Sequence, residues 1–372
     1  MENPFVIVGK IKPEYFCDRE EESARLVRQV TNQGNVVLMS PRRLGKTGLI
    51  DFCFEKPAIK NHYITISIDI LRTSSLNEFT YLLGRAVFES IGLRSQKVMK
   101  RVVATLKSLS GSFGYDPVTN MPTFDIKLGD ITNPAYTLEE IFTCIEQAEK
   151  RCIIAIDEFQ QITSYPEKNI EALLRTHIQH SANANFIFAG SERHLMNEMF
   201  LDAARPFYNS ADIMMLAPIN EDKYQSFVKQ HFEDSKRLVD AQAVHTIYQA
   251  VEGNTYYLQK IFHDLYAELE AGTTCSIVQT NKALQQLIDE NHQKYSEVLS
   301  RLTLPQKELL YAIAAEKRAT QITSGAFIRK HHLKSASSVQ AATKKLLEYH
   351  FLSTENGAYY IDDQLLRLWL LR

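Results

Sequence analysis

The sequence lacks several features that would place the chain in a specialised class of proteins. No run of apolar residues approaches the roughly 18 needed to cross a bilayer. The N-terminus shows no basic region followed by an apolar stretch. We therefore expect neither a membrane span nor a signal peptide. Low-complexity tracts and obvious internal repeats are also missing.

Cysteine and net charge are both scarce. The five cysteines form an odd set without a Cys-x-x-Cys pair, which favours reduced, mostly buried thiols in a cytoplasmic protein. The formal net charge of −2 predicts no general attraction to nucleic acid or to acidic membranes. With 372 residues, of which 45% are hydrophobic and 23% charged, the chain is expected to form two or three globular domains.

The most informative segment covers residues 36–48. An apolar run, typical of a buried strand, precedes a short loop and then a helix start, which is the arrangement that binds the phosphates of a nucleotide. Ser40 stands where the usual pattern opens with glycine. The residues predicted to surround the phosphates are Pro41, Arg42, Arg43, Leu44, Gly45, Lys46, Thr47 and Gly48. The alternative is a turn with an exposed lysine at a helix start.

Lys46 and Thr47 have specific predicted roles in this loop. The Lys46 ammonium can reach the β- and γ-phosphates, and the Thr47 hydroxyl can ligate Mg²⁺. We therefore expect Lys46 to act in catalysis as well as in binding.

A second acidic motif ends another apolar run, at residues 152–158. Two carboxylates at the end of a buried strand are costly unless they face a cleft or a cation. The pattern predicts that Asp157 lies in the Mg²⁺ shell and that Glu158 positions and polarises the attacking water. The alternative is a strand that emerges into solvent.

A third apolar strand, at residues 185–191, ends in Ser191. This serine is predicted to act in catalysis by hydrogen bonding to the γ-phosphate or to the water. A plain helix cap is the alternative.

Strands and helices alternate over residues 1–218, which predicts an α/β core: a parallel sheet covered by helices on both faces. Predicted strands cover residues 62–70, 152–158, 185–191 and 212–216, and predicted helices cover residues 76–91, 138–149 and 170–182. Asp18 is expected to begin an earlier helix, with Glu21 completing a capping box. Residues 110–130 predict a hairpin insertion, with strands at 113–115 and 123–128.

Two further domains are predicted after Pro218. Residues 219–300 have helical patterns, including one long helix at 277–295, and are expected to form a helical lid domain. Residues 301–372 show three helices followed by a hairpin with Asn-Gly at its turn, which is the order of a winged helix-turn-helix.

The winged-helix region differs in charge from the whole chain. Residues 305–350 contain eight Lys or Arg against three Glu, which favours contacts with DNA phosphates. The predicted recognition helix offers few base-reading groups, namely Ser337, Ser338, Gln340, Thr343 and Lys344. A winged helix that packs or binds another protein is the alternative.

These motifs together resemble a known family, the prokaryotic ATPases called "ATPase domain predominantly from Archaea", in the STAND-related branch of AAA+ P-loop ATPases. The matching segments are residues 16–22, 41–47, 156–160, 189–191 and 253–258, and the C-terminal winged helix is also similar. The resemblance implies that ATP and Mg²⁺ are the cofactors, that Asp157 and Glu158 are the Walker B pair, and that Ser191 is at sensor 1. It also implies that Phe16 and Arg19 border the adenine. A solvated charge is the alternative for Arg19.

The sequence departs from the family at its arginines. Where members often carry Gly-Arg after sensor 1, this chain has Asn209-Ser210. Arg205, just before, could substitute for the missing arginine, but an arginine that faces solvent is the favoured alternative. Thr255 replaces a common proline, and Tyr256 and Tyr257 occupy the lid position of a sensor-2 arginine. Because an arginine finger contributes about 10³–10⁵ in rate, hydrolysis by the isolated chain is expected to be slow.

The sequence therefore predicts an ATP-binding protein, a slow Mg²⁺-dependent ATPase that acts as a nucleotide-controlled switch. Its protein partner is expected to bind the winged helix or the hairpin insertion. The alternative is a DNA-binding module, similar to origin-recognition ATPases, in which ATP has a structural or regulatory part. A degenerate scaffold without nucleotide is disfavoured because Lys46, Thr47, Asp157 and Glu158 are all present.

Overall fold

The structure is a computed structural model that describes residues 2–92, 96–108, 113–115, 122–124, 129 and 131–372. The α/β part contains eight helices, α1 to α8, and seven strands, β1 to β7, among the residues it describes. In chain order they are α1 Glu20–Thr31, β1 Val36–Met39, α2 Lys46–Glu55, α3 Pro57–Lys60, β2 Ile64–Asp69, α4 Leu76–Ile91, α5 Gln96–Thr105, β3 Phe113–Tyr115, β4 Pro122–Phe124, α6 Pro134–Glu146, β5 Cys152–Asp157, α7 Ile170–His180, β6 Ala184–Gly190, α8 Arg193–Leu201 and β7 Asp212–Met215.

Five of these strands form one parallel sheet in the order β2-β5-β6-β1-β7. Strand β1 is buried along its whole length, and its side chains alternate between two apolar clusters. Val37 and Met39 pack with α4, α6 and α7 on one face, whereas Val36 and Leu38 pack with α1 and α2 on the other. The predicted α/β core with helices on both faces is confirmed.

The sheet order brings three strand ends together. Strand β6 lies between β1 and β5, and all three run in the same direction. Their carboxyl ends therefore meet at one edge, where a ligand binds in open parallel sheets. Ser40 follows β1, Glu158 follows β5 and Ser191 follows β6.

Strands β3 and β4 pair antiparallel, with Phe113 opposite Phe124. They lie in the segment where the sequence predicts a hairpin insertion. The predicted turn at 116–120 and the predicted strand residues 125–128 lie outside the described residues.

The next region is helical. Its elements are α9 Glu221–Asp234, β8 Leu238–Val239, α10 Ala241–Ala250, α11 Thr255–Glu268, β9 Thr274–Cys275, α12 Ile277–Glu290 and α13 His292–Ser300. The single helix predicted over 277–295 is wrong. The backbone at Asn291 leaves the helical conformation (φ −92°, ψ 0°), and its side-chain amide donates to the Leu287 carbonyl at 2.9 Å, which ends α12 one residue before α13 begins.

The C-terminal region is a winged helix, as predicted. Its elements are α14 Leu304–Glu316, β10 Ala319–Thr320, α15 Gly325–Lys330, α16 Ala336–Glu348, β11 Leu352–Glu355, β12 Ala358–Ile361 and α17 Gln364–Leu370. Strands β11 and β12 form the wing, and Asn356 and Gly357 between them both have positive φ, as a tight hairpin turn requires. Helix α16 takes the place of a recognition helix, and α17 follows the hairpin.

The amino-terminal segment contacts the helical region. The Phe5 ring is completely buried in the cluster formed by that region, against Phe232, Phe262 and Tyr266. The His263 ring lies 2.7 Å from the Phe5 carbonyl.

The predicted capping box at Asp18 is wrong. Asp18 and Arg19 both have left-handed backbones (φ 59° and 74°), so α1 begins at Glu20 without a side-chain cap. The Asp18 carboxylate instead accepts hydrogen bonds from Lys223 Nζ at 2.7 Å and from the Asn220 amide at 3.3 Å, both at the start of α9.

In the part of the chain that the structure describes, no helix combines the length and apolar character needed to cross a bilayer. All five cysteines belong to that part, and each is buried without a disulfide bond. Burial raises the pKa of the Cys17, Cys53 and Cys144 thiols to about 12.

Candidate functional site

The loop between β1 and α2 holds a buried lysine. Gly45 has φ +88°, a left-handed conformation that favours glycine, and it begins α2 as the N-cap residue. Lys46 is only 6% exposed, and its ammonium donates to the Ser40 carbonyl at 3.2 Å. Burial lowers the pKa of Lys46, against the opposing effect of Glu158 and Asp157. A buried cation at the N-terminus of a helix suits a polyanionic ligand.

Thr47 and Asp157 lie together. The Thr47 hydroxyl donates to Asp157 Oδ2 at 2.6 Å. Burial raises the pKa of Asp157, which the Thr47 hydrogen bond only partly offsets. A cation beside this carboxylate would favour its charged form. Among the described residues no group of three or more His, Cys, Asp or Glu could hold a metal ion. The Thr47 hydroxyl and the Asp157 carboxylate are two neighbouring oxygen groups, and Mg²⁺ sites in proteins commonly use one or two protein oxygens together with waters and phosphate oxygens.

Glu158 and Ser191 are joined directly. Glu158 Oε2 accepts from the Ser191 hydroxyl at 2.5 Å and from Gln160 Nε2 at 2.7 Å. Burial acts to raise the pKa of Glu158, but these hydrogen bonds and the charges of Lys46 and Arg42 outweigh it, so the pKa lies below its usual value. Glu158 is therefore ionised at neutral pH. The N-cap of α8 is Glu192 rather than Ser191.

Gly190 permits this close packing. A Cβ atom at Gly190 would lie 2.5 Å from Met196 Sδ and 2.7 Å from Gln160 Oε1. Gln160 is itself buried, and its side-chain amide donates a hydrogen bond to the Glu158 carboxylate. The sequence analysis did not single out Gln160; its position two residues after the acidic pair is the signal that could have found it.

Phe16 packs against α2, and Arg19 binds the loop that precedes this helix. The Phe16 ring stacks on Phe52 of α2 with centroids 4.0 Å apart and planes 6° apart. A Cβ atom at Gly48 would be 3.9 Å from the same ring. The guanidinium of Arg19, a residue that is 3% exposed, donates to Glu22 at 2.8 Å and to the Leu44 carbonyl at 3.4 Å. Arg19 is therefore not a solvated charge at a helix start.

Arg42 and Arg43 diverge after Pro41. Arg43 donates to the Tyr257 hydroxyl at 2.8 Å, and its guanidinium lies 4.6 Å from the centre of the Tyr256 ring. The Arg42 side chain is 53% exposed and lies 4.0 Å from Glu192. The two tyrosines at the predicted sensor-2 position therefore hold an arginine of the loop.

A chain of hydrogen bonds runs from Arg43 into the winged helix. The Tyr257 hydroxyl, which accepts from Arg43, donates to Asp363 Oδ1 at 2.5 Å. Tyr295 donates to the other oxygen of Asp363 at 3.1 Å. Asp363 in turn caps α17 by accepting from the Leu365 and Leu366 amides. Tyr257, Tyr295 and Asp363 were not predicted as functional residues.

A cavity of about 520 Å³ lies beside this chain of bonds. Pro41, Arg42 and Ser191 line one wall, α13 lines a second, and residues of the winged helix line a third. Lys46, Thr47, Asp157 and Glu158 do not line it, so the cavity extends from the edge of the site rather than containing it.

The wing also contacts the α/β part. Glu355, at the end of β11, accepts from Arg193 at 2.6 Å and from Arg318 at 3.0 Å. His350 lies 3.6 Å from Glu192. In this arrangement the wing is held against the first turn of α8.

Arg205, the arginine near the position that the family often fills, lies between two carboxylates. Its guanidinium contacts Glu171 at 2.5 Å and Glu198 at 3.2 Å. Both partners are on helices of the α/β part, α7 and α8, so Arg205 is paired with two carboxylates rather than facing solvent freely.

In this parallel sheet, a lysine-bearing loop follows one strand, and an acidic pair follows the strand that lies two places away in the sheet. That arrangement defines a P-loop ATPase fold. The chain belongs to the family described as "ATPase domain predominantly from Archaea", whose model matches residues 16–261. A second model, described as "Probable winged helix domain", matches residues 293–372.

Solved structures with similar folds cover nearly the whole chain. The Walker-type ATPase PABY2304 of Pyrococcus abyssi is 19% identical, with a TM-score of 0.69 over 99% of this chain and 100% of that one. The Aeropyrum pernix ORC2 protein, in ADPNP-ADP complexes, is 13% identical with a TM-score of 0.57 over 99% and 97%. The Aeropyrum pernix ORC1 protein, in complex with DNA, is 11% identical with a TM-score of 0.52 over 99% and 96%. No curated protein sequence is significantly similar to this chain.

Proposed function

We propose that the chain binds ATP and hydrolyses it slowly with Mg²⁺, as a cytoplasmic switch of the STAND-related AAA+ type. Lys46 would bind the β- and γ-phosphates, and Thr47 and Asp157 would hold the Mg²⁺ ion. Mg²⁺, when bound, neutralises charge on the phosphate oxygens. The complexes of the ORC2 protein with ADPNP and ADP are consistent with a nucleotide ligand in this fold.

The residues after β5 and β6 would act on the water. Glu158 is ionised and half-buried, so it can accept a hydrogen bond from a water molecule and orient it toward the γ-phosphorus. Ser191 and Gln160 hold the Glu158 carboxylate in place. Phe16 and Arg19 would shape the far end of the site, where we place the adenine.

The observation that carries the switch is the hydrogen-bond chain Arg43–Tyr257–Asp363. Its first member belongs to the phosphate-binding loop, its second to α11 and its third to the cap of α17. Triphosphate binding beside Arg43 would change the electrostatic balance that holds its guanidinium on Tyr257, and the winged helix would respond through Asp363. The winged helix or the β3–β4 segment would then bind a protein partner.

Replacing Tyr257 with phenylalanine tests this coupling. We expect ATP affinity to stay within about threefold of the parent, since one neutral hydrogen bond contributes about 1 kcal/mol. Hydrogen–deuterium exchange of α17 should change on ATP addition in the parent and lose that response in Tyr257→Phe.

Tyr256→Phe is the matched control. The Tyr256 ring also lies over Arg43, but its hydroxyl makes no hydrogen bond to any residue that the structure describes. A Tyr257→Phe protein whose α17 responds to ATP as strongly as that of the parent would refute the coupling.

DNA binding is the second candidate function, favoured by the exposed Lys334 and Lys344 around α16 and by the ORC1 complex with DNA. Two observations oppose it in this conformation: Thr343 is buried, with its hydroxyl bonded to the Val339 carbonyl, and the wing is held by Arg193.

The two candidates differ in their salt dependence. If DNA is the ligand, duplex affinity should fall steeply with salt, and replacing Lys344 and Lys345 with alanine should reduce the slope of log affinity against log salt by about 2. Fluorescence anisotropy with a labelled duplex measures both. If the duplex does not bind even at low salt, the switch that acts on a protein partner remains the proposed function.

A further inference from the structure

The site has several arginines around it, and most of them are already engaged. Arg19 is bound to Glu22 and to the Leu44 carbonyl. Arg43 is bound to Tyr257. Two others pair with carboxylates at 2.6 Å or less: Arg193 with Glu355, and Arg205 with Glu171.

Arg42 differs from all of them. Its ion pair with Glu192 is 4.0 Å long, and half of its side chain is exposed. It lines the cavity beside Ser191. It belongs to the loop that carries Lys46, and Ser191, which lines the same cavity, donates a hydrogen bond to the Glu158 carboxylate. Arg42 is thus a loosely paired guanidinium that lines the cavity together with the residue that holds Glu158.

We propose that Arg42 supplies, within the same chain, the arginine that stabilises the γ-phosphoryl group during hydrolysis. This assignment rests on the proposed function and names a catalytic residue for it. The guanidinium would leave its long contact with Glu192 and donate to γ-phosphate oxygens, where a fork of N–H groups matches phosphate geometry.

The winged helix makes an arginine from a second molecule harder to supply. Leu347, Phe351 and Tyr360 of the winged helix line the cavity beyond Arg42. An arginine that entered from another molecule on this side would have to pass the winged helix. A residue already inside the cavity wall needs no such passage.

The step that Arg42 assists is a direct displacement. The oxygen of water forms a bond to the γ-phosphorus while the bond to the β–γ bridging oxygen breaks, and its electron pair leaves with ADP. One proton of the water passes, through Glu158, to the phosphate product. Negative charge grows on the bridging oxygen and is spread over the γ-oxygens, which is where a guanidinium stabilises the transition state most.

The experiment compares Arg42→Gln and Arg42→Lys in the full chain. We expect Arg42→Gln to lower the ATPase rate about 30-fold, less than the 10³-fold of a desolvated finger because Arg42 is half exposed. ADP affinity should stay within about twofold, since ADP lacks the γ-phosphate, whereas affinity for ADP with aluminium fluoride should fall about 30-fold. Arg42→Lys should recover part of both losses.

Lys294→Gln removes a positive charge from another wall of the same cavity and should leave all three quantities unchanged. An Arg42→Gln protein that hydrolyses ATP at the parent rate, or that loses ADP and analogue affinity equally, overturns the assignment while leaving the proposed function intact. A parent that binds no nucleotide overturns the proposed function and this role with it.

Discussion

Replacing Lys46 with alanine is expected to weaken ATP binding by more than about 100-fold. The ammonium is buried beside Asp157 and Glu158 and would exchange its bond to the Ser40 carbonyl for charge-assisted bonds to phosphate. Each such bond contributes about 1.5–3 kcal/mol, and at least two are lost together. Isothermal titration calorimetry with ATP and Mg²⁺ measures the effect.

Without nucleotide, the free energy of unfolding of Lys46→Ala should be at most about 1 kcal/mol below that of the parent. Burial disfavours the charged lysine, as its lowered pKa indicates, so removing the charge offsets the lost packing. Lys60→Ala, on an exposed lysine that pairs with Glu55, is the control and should bind ATP normally. Equal ATP affinity in Lys46→Ala and the parent would exclude this loop as the phosphate site.

Replacing Glu158 with glutamine is expected to lower the ATPase rate about 10³-fold while leaving ATP affinity within about threefold. The amide oxygen of glutamine can still accept from Ser191, so the local hydrogen bonds are largely kept. What is lost is the negative charge that orients and polarises the water. Single-turnover hydrolysis and calorimetry on the same preparation separate the two quantities.

Asp69→Asn is the matched control for Glu158→Gln. Asp69 ends the neighbouring strand β2, directly opposite Asp157 in register, but its carboxylate accepts only from the Leu71 amide among the described residues. Its rate should equal that of the parent. A Glu158→Gln protein with unchanged hydrolysis would remove Glu158 from the mechanism.

Local patterns predicted the framework of the site well. The helix expected at residues 76–91 is α4, and the three apolar runs are the strands β1, β5 and β6. These predictions succeeded because buried parallel strands are apolar along their whole length, and because polar residues at their ends are informative. Asn356-Gly357 marked the wing turn for a similarly local reason, since both residues tolerate positive φ.

The contacts that failed to be predicted are long-range. Tyr257 is 214 residues from Arg43 and 106 from Asp363. Local sequence periodicity carries no information about pairs so far apart in the chain. Asp18 was expected to cap α1, but the left-handed backbone at Asp18 and Arg19 removes the capping geometry, and the Asp18 carboxylate binds Lys223 instead. The domain boundaries and the roles of the site residues stay predictions.

The position of Phe5 has a practical consequence for dividing the chain. Phe5 precedes the α/β part in sequence, yet its ring is enclosed by aromatic side chains of the region after residue 219. Separating the α/β part from the region after residue 219 would leave the Phe5 side chain without its packing partners on the first fragment. It would also leave a cavity in the second fragment, which we expect to lower the free energy of unfolding of that fragment by about 3–5 kcal/mol. Independent production of the two halves would therefore require grafting the leading residues onto the later half, as in a circular permutation.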